Sequence, residues 1–518
     1  MIAAKLRNMR GAAMEMGGTR AQIVIDTAAH PRHQRHMVDF RPVGYVIGLL
    51  VAALGVTMLA PMAADLMAGN GHWPVFFQAA ILTCLCGGLV AIACANGVTE
   101  GLSLRQTFLL TSLVWLTLPV FGAIPFFLGA TNAGLTDAFF EAMSGLTTTG
   151  ATVFGGLEAL PEGLKLWRGI LQWLGGVGII VVAMVFLPEL RVGGMQIFRS
   201  EGFDTSGKIL PRAGQIASSI SVIYVALTLI CAMSYSATGL ATFDAMVHAM
   251  TTVSTGGMGN FDSSFAEFAA STQYVAIVFM ILAALPFVRF VQLLAGTAQP
   301  LLNDIQIRAF LATITIVALL MASWLWGRGG VLTEAAFRDS LFNVVSIMTG
   351  TGYASADYMG WGTFPVVMFF FIGLVGGCAG STSCSIKVFR YQLLFASIKS
   401  QIRQIHSPHG VFPPRFDGRA VSDDVLNSVM AFFVAFILSL GILSVLLGLT
   451  GLDFITSVSG ASAALANIGP GLGQIIGPAG NYADINDTAK WLLAIAMYIG
   501  RLEVLIVLTI LSVKFWRD

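Results

Sequence analysis

Charge is what this chain has least of. Only 11% of its 518 residues are Asp, Glu, Lys or Arg, against 56% hydrophobic, and the mean hydropathy is +0.80. A soluble chain carries about 25% charged residues, so a soluble globular fold is excluded and a polytopic membrane protein is left. The six cysteines (Cys84, Cys86, Cys94, Cys231, Cys378 and Cys384) form no CxxC pair and have no histidine cluster beside them. Neither a disulfide framework nor a zinc site is expected from that spacing. Small packing residues are the better reading, since Cys84 and Cys86 point to different sides of a helix. No HExxH or GxSxG motif occurs, and the few intramembrane ionisable groups make no nucleophile–base pair. An intramembrane enzyme is therefore not expected. Residues 1–39 are polar and basic and lack a continuous apolar core, which argues against a cleaved signal peptide. They read as a cytoplasmic tail, partly helical over 21–29, with no assigned function.

Apolar spans fall at about 43–68, 74–95, 107–128, 166–187, 216–236, 274–294, 307–326, 364–395, 425–447 and 491–515. Each is near the roughly 20 residues that cross a hydrocarbon core, and ten spans put both termini on one side. With the termini cytoplasmic, the outer segments hold only Lys165, Arg168, Arg328, Arg338 and Lys490 of the 28 basic residues. That is a strong positive-inside bias, with the longest basic inner loop at 387–419. The outer segments instead carry acids such as Glu158, Asp262, Asp357 and Asp484, which favour cations near an entrance.

After spans three, five, seven and nine comes a segment too apolar for a loop and too short to cross: 137–149, 244–256, 339–351 and 453–468. The chain is thus a leading helical pair followed by four span–half-helix–span repeats. The fold expected is an all-α polytopic membrane protein with these repeats around a pseudo-fourfold ion pore. Its divisions are an N-terminal extension (1–37), the leading transmembrane pair (38–100), and four pore repeats (101–200, 201–300, 301–420 and 421–518).

Each half-helix closes on a glycine: Thr148-Thr149-Gly150, Thr255-Gly256-Gly257, Gly350-Thr351-Gly352 and Asn467-Ile468-Gly469. In the first three, an aspartate (Asp137, Asp244, Asp339) stands thirteen residues before the glycine, and Asp453 stands sixteen before in the fourth. Each aspartate suits the N-cap of its half-helix. A helix of about eleven residues rises roughly 16 Å, half-way through the membrane, and its C-terminal end favours a cation there. The glycines let successive carbonyls turn toward one axis. Four such turns give rings of oxygens that replace an ion's hydration shell, the potassium-filter solution. A single Thr-Gly turn would more often be helix packing. Four sharing composition, offset and place in the repeat are not explained that way.

Two other features stand out. Span eight is interrupted by a run of small and hydroxyl residues, Gly376, Gly377, Cys378, Ala379, Gly380, Ser381, Thr382, Ser383, Cys384 and Ser385, followed by Lys387. This is either a loosened helix with exposed backbone or a small-residue helix contact. Arg501 lies well inside an apolar span, at a cost of about 2.5–3.5 kcal/mol on translocon scales, so it must face water or a partner. Glu503, two residues on, does not face it on a helix. His248 reads as a hydrogen-bonded packing residue, Glu141 as support for the first half-helix, and Lys208 and Arg212 as a cytoplasmic surface contact or lipid anchor.

FEAMSGLTTTGAT, TTVSTGGMGNFDSSF, TGTGYASADY and NIGPGLG, with YIGRLEV in the last span, resemble the four pore loops and last inner helix of TrkH-type potassium uptake proteins. That superfamily includes TrkG and KtrB. The resemblance covers roughly 38 to 518. It implies a homodimer with one pore per protomer in the bacterial inner membrane, and a cytosolic TrkA-like nucleotide-binding ring that controls opening. It further implies that the 376–385 run is an intramembrane gate loop under the filter, and that Arg501 sits at the pore constriction. Potassium is then the substrate, and no organic cofactor or nucleic acid is involved. The competing reading, a secondary transporter of another small solute, expects inverted twofold repeats and two broken helices. Four same-sense repeats oppose it. One glycine per loop, without a repeated TVGYG, predicts a short filter and moderate discrimination against sodium.

Overall fold

The computed structural model describes residues 39–97, 102–182, 194, 213–329 and 333–517. The N-terminal extension, Lys208 and Arg212 lie outside them. Residues 38–516 form one compact unit.

Two helices, α1 (Arg41–Thr57) and α2 (Leu59–Ala68), run as one span and pack against α3 (Trp73–Cys94). Prolines stand in the first turns of α1 and α3, where a missing N–H costs nothing. The α1–α3 contact is made of small residues: a Cβ on Gly48 would strike the backbone of Gly87 and Ala91, and Cys84 and Cys94 fill the space over Gly55 and Gly44. These cysteines are the packing residues their spacing suggested.

The first repeat is α4 (Leu104–Gly122), α5 (Ile124–Leu128), the half-helix α6 (Leu135–Leu146) and α7 (Glu162–Val181). The second is α8 (Ala213–Ala237), half-helix α9 (Thr242–Val253), α10 (Ala270–Ala283) and α11 (Phe287–Leu294). After the short α12 (Gln299–Asn303), the third is α13 (Ile305–Gly329), half-helix α14 (Glu334–Thr349), α15 (Thr363–Gly373) and α16 (Val388–His406). A two-residue hairpin, β1 (Arg415–Phe416) with β2 (Arg419–Ala420), leads to the fourth: α17 (Asp423–Leu449), half-helix α18 (Phe454–Ala466), α19 (Asp487–Leu502), α20 (Val504–Leu511) and α21 (Val513–Arg517).

Burial is inverted relative to a soluble protein. Outer spans such as α17 expose Val434, Ile437, Leu438 and Ile442, whereas the half-helices bury Ser144, Thr147, Thr251, Ser346, Thr349 and Ser459. Apolar side chains lose nothing in lipid, so the polar residues collect around the centre, where partners exist.

Six described helices are long and apolar enough to cross a membrane unbroken. Of the ten expected spans, 166–187 runs beyond the described residues, and 364–395 is broken between α15 and α16. Two others, expected to be continuous, are sharply bent: 274–294 by 92° between α10 and α11, and 491–515 by 104° between α19 and α20. Pro286 at the first bend has no N–H to continue the ladder. At the second, Glu503 takes φ +65° and pairs with Arg390 at 2.6 Å.

Candidate functional site

All four half-helices end in the same way. The residue two before the aligned glycine adopts a left-handed backbone: Thr148 (φ 53°), Thr255 (φ 52°), Gly350 (φ 79°) and Asn467 (φ 51°). In the first repeat the Thr148 N–H then bonds to Gly145 O and the Thr149 N–H to Ser144 O, both at 2.9 Å. The second and fourth repeat this pattern, with Gly256 N on Thr251 O and Ile468 N on Ala463 O at 2.9 Å. This double closure satisfies the last helical carbonyls and turns the chain sharply away. A left-handed β-branched residue is unusual and costs about 1–3 kcal/mol, so Thr148 and Thr255 are held there by their surroundings.

Beyond these closures the four turns meet in a ring. A Cβ added to Gly150 would overlap the Gly256 carbonyl, and one on Gly257 the Thr351 carbonyl. One on Gly352 would lie 2.9 Å from the Gly469 nitrogen, and one on Gly469 2.9 Å from the Gly150 oxygen. Contacts therefore run from repeat one to two, two to three, three to four, and four back to one. Asn467 Nδ2 reinforces the last junction by donating to Thr149 Oγ1 at 3.0 Å. The four turns of the expected filter set are thus brought together, through Thr149, Gly150, Gly256, Gly257, Thr351, Gly352, Asn467 and Gly469. Two of their carbonyls are also tied to side chains: Gly256 O accepts from Gln172 Nε2 at 2.6 Å, and Gly469 O from the Tyr482 hydroxyl at 3.0 Å.

The aspartates differ from expectation. The N-caps of α6, α9 and α14 are Gly134, Ala241 and Thr333, and only Asp453 caps, accepting from Ile455 N and Thr456 N. Asp137 pairs with Lys490 at 2.7 Å, Asp244 accepts from Asn260 Nδ2 at 2.8 Å, and Asp339 from Ser355 Oγ at 2.8 Å. The first three helices begin earlier than the acids, so tertiary donors reach the carboxylates instead. Gly134, Ala241 and Asp453 each stand sixteen residues before their glycine. The fourth repeat therefore keeps the common register, and its aspartate simply occupies the cap. It does depart at Gly469, which alone of the four aligned glycines lacks a positive φ; Pro470 follows it and favours an extended backbone.

Directly against this ring lies the run joining α15 to α16. It forms a loop whose ends make a short parallel bridge, Val375 with Ile386. Gly376 N donates to Ile386 O at 3.0 Å, and Gly377 N to Ser383 Oγ at 2.8 Å. The loop fills the first helix bend. Ala284 O accepts from Cys378 N at 3.0 Å, Ala283 O from Thr382 Oγ1 at 2.9 Å, and Phe287 N donates to Gly380 O at 3.0 Å. The backbone groups that the bend would orphan are thus paired by the loop. Ser381 Oγ closes on Cys378 O at 2.7 Å, and Lys387 Nζ reaches back to Ser383 O. Ser385 N donates to Ala466 O at 3.0 Å, next to Asn467.

Arg501, 3% exposed, faces the same loop. Its Nη1 donates to Cys384 Sγ at 2.5 Å and its Nη2 to Gly175 O at 2.8 Å, while Nε has no hydrogen-bond partner among the described residues. Glu503 turns away to Arg390, whose guanidinium also sits 3.8 Å over the Phe432 ring. A cavity lined by Ser381, Cys384, Lys387, Arg390, Arg501 and Glu503 opens beside the loop.

Some contributors were not singled out by sequence. Cys384, read as packing, bridges Arg501 and Thr148, whose Oγ1 is 3.7 Å from its Sγ. Arg168 and Gln172, one turn apart on α7, clamp the second turn through Gly259 O (2.7 Å) and through Gly256 O and Met258 N. Their signal was available: two polar residues spaced i, i+4 inside an apolar run. The five basic residues assigned outside are all engaged. Arg168 pairs with Glu141, Lys490 with Asp137 and Arg338 with Glu334, while Arg328 donates to Trp361 O and Lys165 to Glu158 O.

Four re-entrant half-helices meeting in a closed ring, inside a shell of lipid-facing spans, define an α-helical membrane transport protein of pseudo-fourfold design. The family model described as "TrkH: Cation transport protein" matches residues 72–517. The chain belongs to this family. It is 42% identical over 479 residues to the Trk system potassium uptake protein TrkI of Halomonas elongata, covering 92% of this chain and 97% of that one. It is 35% identical over 490 residues to the Trk system potassium uptake protein TrkH of Vibrio parahaemolyticus, covering 93% and 100%. The crystal structure of the potassium transporter TrkH from Vibrio parahaemolyticus superposes with a TM-score of 0.84 at 33% identity, over 93% of this chain and all of that one.

Proposed function

We propose that this chain takes up potassium across the bacterial inner membrane, with both termini cytoplasmic, through a filter made by the four turns ending at Gly150, Gly257, Gly352 and Gly469. The observation that carries this reading is the closed ring of contacts among those turns. Four turns abutting one another at the C-terminal ends of half-helices can offer backbone oxygens to a dehydrated monovalent cation. The 376–385 loop and Arg501 act as the gate. Both lie against the ring, and a fixed guanidinium opposes a cation until loop and helix move. The protein works as a homodimer under a cytosolic TrkA-like nucleotide-binding ring, as membership of a family with Trk system relatives suggests.

Growth of a transport-deficient bacterium at limiting potassium, with and without a TrkA-type partner, tests uptake. Flux of potassium, rubidium and sodium in proteoliposomes tests the filter. Rescue at low potassium, with potassium and rubidium flux well above sodium, is expected. Equal sodium and potassium flux removes the potassium assignment.

A further inference from the structure

One buried polar side chain in each half-helix does the same job, although the four are of different types. Each accepts a hydrogen bond from the backbone N–H of the third residue after the aligned glycine. Val153 N donates to Glu141 Oε2 at 3.0 Å and Asn260 N to His248 Nε2 at 3.5 Å. Ser355 N donates to Asn343 Oδ1 at 3.3 Å and Leu472 N to Ser459 Oγ at 2.9 Å. The spacing is twelve residues in the first three repeats and thirteen in the fourth. Glu141, His248 and Asn343 are fully buried and Ser459 is 4% exposed.

The four acceptors are each fixed in place. Glu141 also receives the Thr152 hydroxyl at 3.0 Å and Arg168 Nε at 2.8 Å. His248 Nδ1 lies 2.8 Å from Asp244 O, so that nitrogen carries the proton and Nε2 is free to accept. Asn343 Nδ2 donates to Asp339 O and to Ser355 Oγ, which orients Oδ1 toward the N–H. Ser459 Oγ returns a bond to Leu472 O at 3.2 Å. Four chemically unlike groups meeting one geometric requirement point to the requirement rather than to local packing.

We infer that Glu141, His248, Asn343 and Ser459 are positioning residues that set the width of the filter by holding the strand leaving each turn. This rests on reading the four turns as the filter. A buried N–H that loses its acceptor is left with its desolvation cost, and the strand shifts to find another. The carbonyls of the turn, two or three residues back along the same strand, move with it. Ion selectivity depends on those carbonyl positions, so it changes before folding does.

The test compares acceptor-removing with acceptor-keeping variants by the potassium-to-sodium flux ratio in proteoliposomes. Ser459→Ala and Asn343→Leu are expected to lower the ratio at least fivefold. Ser459→Thr and His248→Gln, which retain an acceptor, are expected within twofold of the parent. A parent ratio held by Ser459→Ala, or a ratio lost equally by Ser459→Thr and His248→Gln, overturns the inference. If Ser459→Ala and Asn343→Leu cannot be purified, His248→Phe, which removes the acceptor but suits the ring cluster of Phe265, Phe268 and Tyr353, is compared with His248→Gln, and equal ratios in the two overturn the inference. A parent protein that itself fails to prefer potassium points instead to failure of the filter reading.

Discussion

Cys384 lies between Arg501 and Thr148: its sulfur accepts from Arg501 Nη1 at 2.5 Å and sits 3.7 Å from Thr148 Oγ1. One thiol therefore touches both the arginine of the last span and the left-handed threonine of the first turn. Cys384→Ala removes the acceptor and leaves a buried guanidinium N–H unmatched. A hydrogen bond to a charged group is worth about 1.5–3 kcal/mol, at least tenfold in a two-state equilibrium. Basal potassium flux without the cytosolic partner should rise about tenfold in the Ala variant. Cys384→Ser, which keeps an acceptor, should rise less. Unchanged flux in both would show that the Cys384–Arg501 contact does not hold the pore closed.

Gly257→Ala addresses the ring itself. Its φ of +74° is costly for alanine, and the added methyl would overlap the Thr351 carbonyl of the neighbouring repeat. The left-handed backbone alone costs about 1–2 kcal/mol, and the overlap adds to it by pushing two turns apart. Uptake should fall more than tenfold while the protein still reaches the membrane. Rubidium uptake alongside an immunoblot of membrane fractions measures both. By contrast, Gly418→Ala carries the same left-handed strain (φ +77°) but has open space around it in the β1–β2 turn, so it should cost local stability and leave uptake within twofold.

Glu503 makes a stability prediction. Its carboxylate meets Arg390 at 2.6 Å, and the Arg390 side chain is 1% exposed. Removing one partner of a fully buried pair costs about 3–5 kcal/mol, and the cost here should fall below that because Glu503 is 13% exposed and Arg390 keeps its place over the Phe432 ring. Glu503→Ala should show a clearly lower unfolding temperature in detergent, and Glu503→Gln a smaller drop. The same pair holds the backbone of Glu503 at φ +65°, so the α19–α20 bend should relax, which proteolysis near 500–505 would report.

The periodic parts of the fold were legible because they repeat. The register on Gly150, Gly257 and Gly352 followed from one offset used three times, whereas Gly469, at a different offset, was aligned by its place at the end of the fourth half-helix. The roles of Asp137, Asp244 and Asp339 did not: Gly134 and Ala241 offer no side-chain cap, and Thr333, which accepts from Ala336 N, caps its helix six residues before Asp339. Leu135, Thr242 and Glu334 begin them, and the acids are claimed by Lys490, Asn260 and Ser355. Neither of the two bends was expected: Pro286 was an available signal for the first that the apolar run 274–294 masked, whereas the kink at Glu503 depends on Arg390, 113 residues away in sequence. Cys384 looked like a packing cysteine because its partners, Arg501 and Thr148, come from other repeats.

Arg501 separates charge from shape in the proposed gate. Its guanidinium spans Cys384 on the loop and Gly175 on α7, so it joins three elements that would separate if the proposed gate opens. Arg501→Ala deletes both the fixed charge and the bridge. Basal flux should rise strongly and become insensitive to the cytosolic partner. Arg501→Lys keeps the charge, but a single ammonium has no planar fork to reach both acceptors. Its basal flux should lie between parent and Ala, with partner control retained in part. If Lys behaves as Ala, the bridge and not the charge closes the pore; if Lys behaves as the parent, electrostatic repulsion suffices. Reduced flux in well-folded Arg501→Ala would show that the arginine assists conduction, and the gate would then have to lie in the loop alone.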